Sequence, residues 1–256
     1  MSLFPSRAVA FELFGFGVHW YGLLYLASFL LAFWMLPRLQ RYRDLNLTRD
    51  EWSDLIAAAI IGVVVGGRLG YVFFYDPRYY ATHLIEILQV WKGGMASHGG
   101  FIGVTVALLW SLRGKTNDVT LRIADVVVIP ITIGLGLGRI GNFINQELYG
   151  TVTRLSWGMQ FPGAEGLRHP IQLYDFGLMM IIAAILFWNL KYSSRVILSS
   201  SKDGKNCALF LLLYGIVRFL LEFIREQHGV FWWGLSEGQW LTIPIVVAGV
   251  WLWRRK

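Results

Sequence analysis

Along the chain, long apolar runs alternate with short polar connections, and seven of these runs read as membrane helices. They cover about residues 18–36, 55–75, 95–112, 121–138, 172–190, 207–226 and 238–253. Several sit near the lower limit for crossing a hydrocarbon core of roughly 30 Å. The pattern predicts an all-α polytopic membrane protein, one integral-membrane domain over residues 1–256. Two excursions break the rhythm. The segment at about 139–171 carries Pro162, Gly163, Gly166 and Pro170, and its length predicts a small folded head and not a bare loop. Residues 76–94 space Leu84, Ile85, Ile87, Leu88, Val90 and Trp91 as an amphipathic helix lying at an interface would. The connection at 193–206 is polar, with a turn expected at Asp203-Gly204.

Charge gives this pattern a direction. Alternate connections carry Arg38, Arg41, Arg43 and Arg49, then Arg113, Lys115 and Arg122, then Lys191, Arg195, Lys202 and Lys205, and at the end Arg254, Arg255 and Lys256. The opposite set holds only Arg7, Arg78, Lys92, Arg139, Arg154 and Arg168. The positive-inside rule then predicts the N-terminus outside, the C-terminus in the cytoplasm, and the 139–171 head on the periplasmic side. The first span lacks a basic leader and a small-residue cleavage site, so it is expected to remain as a span. The net charge of +7 follows from this topology and from contact with anionic lipid, so no nucleic-acid partner is expected.

Composition agrees: 55% of residues are hydrophobic and 15% charged, with a mean hydropathy of +0.51. Cys207 is the only cysteine, which excludes an intramolecular disulfide and a cysteine-rich metal site. The five histidines (19, 83, 98, 169 and 228) are scattered, with no metal-binding spacing, so neither metal nor cofactor is expected.

Chemistry concentrates in GLGLGRIGNFINQELYG, residues 134–150, where Arg139, Asn142, Asn145, Gln146 and Glu147 close an apolar run. A charged group at membrane depth costs roughly 2.5–3.5 kcal/mol on insertion scales, so such residues mark a lined cavity or ligand site. The glycines suggest a helix that unwinds, or one that admits something close to its backbone. One helical turn separates Arg139 from Asn142, which makes them an anion clamp or, more plainly, an arginine reaching for an interface.

In YGIVRFLLEFIREQ, Tyr214, Arg218, Glu222 and Arg225 form one polar stripe. It reads either as an ion-pair ladder for packing or, with two arginines to one glutamate, as a site for an external anion. His98, in GGMASHGGFIG, is either a general base or a structural hydrogen-bonding residue, and the glycines around it argue for a ligand in close approach. Tyr21 is a belt aromatic or a site residue. His169 and Gln172 in RHPIQLYD orient a ligand or cap a helix, and Arg68 in GGRLGY anchors a phosphate or a neighbouring helix. GGRLGYVFF echoes LGRIGNFIN, through either duplication or chance. No nucleophile stands out, so an enzyme built on these residues would draw its nucleophile from a substrate.

Six stretches taken together carry a resemblance: HWYGLLYL at 19–26, GGRLGYVFFY at 66–75, VWKGGMASHGGFIGV at 90–104, GLGRIGNFINQELYG at 136–150, RHPIQLYD at 168–175 and YGIVRFLLEFIRE at 214–226. In content and order the chain resembles the prolipoprotein diacylglyceryl transferase family of bacterial inner membranes. It departs from the usual pattern at Ala96, where serine is common, and at Gln146, where glycine or serine is common. The resemblance implies seven spans with an outward head and a periplasm-facing active site. The implied partners are phosphatidylglycerol and the lipobox cysteine of a preprolipoprotein, joined as a thioether with release of glycerol phosphate. It implies catalytic roles for His98, Arg139, Arg218 and Tyr21. Substrate contacts are implied for Asn142, Glu147, Gly150, Glu222, Arg225 and Arg68, with His169 and Tyr214 beside them. An organic-anion or lipid transporter using the same arginines, and a signal-peptide chaperone without catalysis, are the competing classes. Covalent change against flux separates the first from the transferase; peptide binding indifferent to phosphatidylglycerol marks the second.

Overall fold

The computed structural model describes residues 9–193, 203–226 and 233–255, which fall into two compact units. The first comprises Met1–Leu45 and Leu121–Lys256, the second Asn46–Thr120. Most of the 193–206 connection lies outside the described residues, as do Arg7, Arg195, Lys202, His228 and Lys256. Its turn at Asp203-Gly204 is present.

The first unit opens on an element that an all-α reading did not anticipate. Strands β1 (Val9–Leu13) and β2 (Phe16–His19) pair antiparallel. Phe14 and Gly15 turn between them, both with positive φ (51° and 79°). Two successive left-handed residues match the twist of a two-residue hairpin. Helix α1 (Trp20–Leu39) follows directly.

The chain returns to this unit in α5 (Asn117–Ile144), which stays helical through Gly134, Gly136, Gly138 and Gly141. The expected unwinding at these glycines does not occur, and Gly134, Gly136 and Gly141 serve packing instead. A methyl group on Gly136 would lie 2.6 Å from the Met180 side chain, and one on Gly141 would lie 3.0 Å from the Tyr21 ring. The backbone breaks only after Ile144, where Gln146 and Leu148 take left-handed conformations. The folded segment therefore starts near residue 145 and not at 139. It buries Phe161 and Ala164, and isolated bridges join Val152 and Met159 to Arg168.

Helices α6 (Ile171–Ser193), α7 (Lys205–Leu221) and α8 (Glu237–Arg254) complete the unit. Gly215 and Gly249 let α7 and α8 approach closely, against Val246 and Leu212. Beyond α7 a short 3-10 turn covers Glu222–Ile224, and Arg225 is extended, so the stripe expected to stay helical to residue 226 is bent at its end.

A buried polar node ties the other end of these helices together. Asp125, fully buried, accepts from Arg43 Nε at 2.9 Å and from the backbone N–H groups of Gly204 and Cys207 at 3.0 and 2.8 Å. It thereby caps the first turn of α7 from a neighbouring helix, satisfying N–H groups that have no partner within their own helix. Asn206 donates to the Asp125 carbonyl and accepts from Asn189.

In the second unit, α2 (Arg49–Phe74) starts with a capping box formed by Thr48 and Glu51. It packs on α4 (Ser97–Ser111) through facing glycines. A methyl on Gly66 would fall 2.6 Å from the Gly103 Cα, and one on Gly70 would fall 2.7 Å from the Gly99 Cα. This is the small-residue contact by which membrane helices bring their backbones together. Two of the glycines around His98 that suggested an approaching ligand, Gly99 and Gly103, are thus occupied by a helix.

The expected interfacial helix at 76–94 is instead α3 (Pro77–Thr82) followed by 3-10 turns at Leu84–Leu88 and Val90–Lys92. Arg68 supplies the reason. It captures the carbonyls of Glu86, Ile87, Gly93 and Gly94, which diverts them from a continuous helical ladder. Leu84, Ile85, Leu88 and Trp91 remain strongly exposed, as an interfacial segment requires.

Among the described residues, five stretches are long and apolar enough to cross a membrane: Trp20–Arg43, Arg49–Phe74, Asn117–Ile144, Ile171–Tyr192 and Lys205–Ile224. Helix α4 is apolar but shorter, and α8 is not among the five.

Candidate functional site

In the first unit, polar side chains from α1, α5, α6, α7 and the segments after α5 and α7 form one continuous chain of contacts. It begins at Glu147, whose Oε1 accepts the Tyr21 hydroxyl at 2.5 Å and Asn142 Nδ2 at 2.9 Å. Asn142 Nδ2 also donates to the Tyr21 hydroxyl oxygen, so three groups close on one another. The Asn142 Oδ1 in turn accepts from Arg139 Nη1 at 3.2 Å, as their spacing on one helix face predicts. Arg139 Nε pairs with Asp175 Oδ2 at 2.7 Å. The same oxygen meets Arg218 Nη1 at 3.4 Å. Arg218 Nη2 pairs with Glu222 Oε2 at 3.3 Å, and Arg225 Nη1 reaches that oxygen at 3.5 Å.

Asp175 and Glu222 are less exposed than the arginines they pair with. Their side chains are 4% and 6% exposed, while those of Arg139, Arg218 and Arg225 keep 25%, 13% and 26%. A ligand approaching this part of the chain meets guanidinium groups before Asp175 or Glu222, and the exposed carboxylate of Glu147 stands at the chain's other end. Planar, forked donors in this setting suit the oxygens of phosphate or carboxylate. Low surrounding dielectric makes such contacts stronger than they are in water.

Around this chain the backbone is held tightly. Gln172, 1% exposed, donates to the Glu147 carbonyl at 2.7 Å and fixes the turn that presents Glu147. Gly150 N–H donates to the His169 carbonyl at 2.9 Å. Gly150 also bridges Arg225, and Thr151 N–H donates to the Ile224 carbonyl. A methyl on Gly150 would lie 2.7 Å from both the His169 Cβ and the Ile224 carbonyl oxygen. Only glycine lets the 145–170 segment, the start of α6 and the Arg225 backbone meet at this point.

The structure therefore brings together Tyr21, Arg139, Asn142, Glu147, Arg218, Glu222 and Arg225, with Gly150 at the junction behind them. His169 stands in a separate cluster. Its Nδ1 lies 3.3 Å from the Tyr174 hydroxyl, which also accepts from Trp157 Nε1 at 2.8 Å. Tyr214 stacks on Phe210. Arg68 and His98 belong to the second unit. Arg68 is buried, with its guanidinium bound to backbone carbonyls and lying 5.1 Å from the Tyr80 ring centre. His98 is exposed on the first turn of α4.

Asp175 is the residue that sequence reasoning passed over. It lies in RHPIQLYD, and an acid opening an otherwise apolar span, in a chain with several intramembrane arginines, is the signal that marks it.

The family model described as prolipoprotein diacylglyceryl transferase matches residues 8–255. The chain is 46% identical over 253 residues to a phosphatidylglycerol–prolipoprotein diacylglyceryl transferase of Methylobacillus flagellatus, covering 95% of this chain and 94% of that protein. It is 43% identical to the Polynucleobacter asymbioticus protein of the same name, over 98% of this chain and 96% of that one. A third, from Legionella pneumophila, is 41% identical over the full length of both.

Proposed function

The chain belongs to the prolipoprotein diacylglyceryl transferase family, and we propose that it moves the diacylglyceryl group of phosphatidylglycerol onto the lipobox cysteine of preprolipoproteins, the first step of lipoprotein maturation. The observation that carries this reading is the partly open arginine face formed by Arg139, Arg218 and Arg225 over covered carboxylates. The lipid phosphodiester seats on these guanidiniums. The cysteine sulfur attacks the diacylglycerol carbon next to the phosphate, a C–S bond forms, and the C–O bond breaks with its electron pair left on glycerol phosphate. Arg139 and Arg218 stabilise that developing charge, as preorganised cations do where water is excluded. Tyr21, Asn142 and Glu147 hold Arg139 in orientation.

A free thiol with a pKa of about 8.5 is only a few per cent thiolate at neutral pH, so a base worth roughly 2 kcal/mol is needed. We assign that proton to His98, an exposed imidazole. Arg68 contributes by folding the 84–94 segment. The five apolar crossings, with α4 and α8 added, give seven spans, the N-terminus outside and the C-terminus in the cytoplasm of a bacterial inner-membrane protein. The 145–170 segment then faces the periplasm, where lipobox cysteines emerge. The family match runs through both units, which supports reading them as one transferase.

Purified protein given phosphatidylglycerol and a lipobox peptide should yield a thioether-linked peptide and an equal amount of glycerol phosphate. Arg139→Ala should lower that release by about a hundredfold or more. No glycerol phosphate from the wild type under any lipid composition overturns the activity. An Arg139→Ala rate within a few-fold of wild type overturns the phosphate clamp.

A further inference from the structure

The charge count of the arginine chain points to a role for Asp175 beyond holding helices together. Three guanidiniums (Arg139, Arg218, Arg225) are matched along the chain of contacts by three carboxylates, Asp175 and Glu222 in direct pairs and Glu147 through Asn142. A phosphodiester headgroup carries one negative charge. Its phosphomonoester product carries nearly two at neutral pH, since the second ionisation lies near pH 6. With no surplus cation, the site accommodates the single charge of the substrate better than the double charge of the product.

We propose that Asp175 is a positioning residue that aligns Arg139 with Arg218 and keeps the clamp matched to a phosphodiester, so that glycerol phosphate is released. This rests on the transferase reading above. The Asp175 Oδ2 lies between the two guanidiniums, 2.7 Å from Arg139 Nε and 3.4 Å from Arg218 Nη1. Like charges so close would push apart without an anion between them. At 4% exposure the carboxylate is covered by the arginines it aligns, so it acts through them and not on the lipid directly. In the reaction the thiol proton leaves to the base, the C–S bond replaces the C–O bond, and the second negative charge appears on the phosphate oxygen facing the clamp. The fixed charge of Asp175 behind the guanidiniums opposes retention of that dianion.

The test compares Asp175→Asn and Asp175→Glu with wild type in the glycerol phosphate release assay, adding glycerol phosphate as an inhibitor. Asp175→Asn removes one charge with little change of shape. It should tighten product inhibition by about tenfold, lower steady-state turnover, and leave a first-turnover burst. Asp175→Glu keeps the charge and should stay within about threefold of wild type in product inhibition. A residue that only supports packing gives the opposite result, with product and lipid both bound more weakly. Unchanged or weaker product inhibition in Asp175→Asn overturns the proposal. So does tightened inhibition in Asp175→Glu, a result that stands even where Asp175→Asn does not fold. A wild type that releases no glycerol phosphate overturns the transferase reading instead, before any variant is compared.

Discussion

Arg139 spends Nε on Asp175 across to α6 and Nη1 on Asn142 one turn along its own helix. Both contacts fix the plane of the guanidinium, and a fixed plane is what a forked phosphate contact needs. Tyr21 and Glu147 extend the same logic: they orient Asn142, which orients Arg139. At this scale much was legible, because an arginine, an asparagine and a glutamate at membrane depth are costly and so conspicuous. What spacing along one helix could not reveal was the partner on another. Asp175 lies 36 positions from Arg139, and nothing local joins them.

His98 is legible as chemistry but not as a role. General-base catalysis is worth about 10²–10⁴-fold, so His98→Gln should lower kcat by about a hundredfold or more with KM little changed. A raised KM with kcat retained shows instead that His98 positions substrate.

The apolar runs marked where helices lie, whereas glycine was a poor guide to what those helices pack against. The glycines of α5 and those on the facing surfaces of α2 and α4 look alike in sequence to a site that admits ligand. In the structure they admit Met180, Tyr21 and another helix backbone. Glycine marks close approach, and the sequence does not say of what. The segment at 76–94 had the apolar spacing of a helix, but a buried arginine twenty residues away took its carbonyls. The hairpin at 9–19 rests on a Phe14-Gly15 turn too short to register against an apolar background.

The folded 145–170 segment is the element whose side of the membrane matters most. With Cys207 replaced by serine, a cysteine at exposed Glu165 should react with an impermeant thiol reagent in intact spheroplasts. A cysteine at Gly114, which has open space around it, should react only after lysis. The reverse pattern overturns the proposed orientation.

As a whole, the first unit separates two polar clusters with different tasks. The Arg43–Asp125–Asn206 node is buried around the start of α7, where Asp125 ties Arg43 to the helix N-terminus, which suits a structural tie. The Arg139–Asp175–Arg218 chain leaves its cations partly open, which suits an exchangeable anion. Breaking a buried pair costs about 3–5 kcal/mol, so both are retained for a reason, but only the second has a face to offer a ligand. If this face receives the phosphate of the lipid donor, a structure of the protein with phosphatidylglycerol should place a headgroup phosphate within hydrogen-bonding distance of both Arg139 and Arg218. A phosphate bound elsewhere, with the two arginines still held only by Asp175 and Glu222, would contradict it.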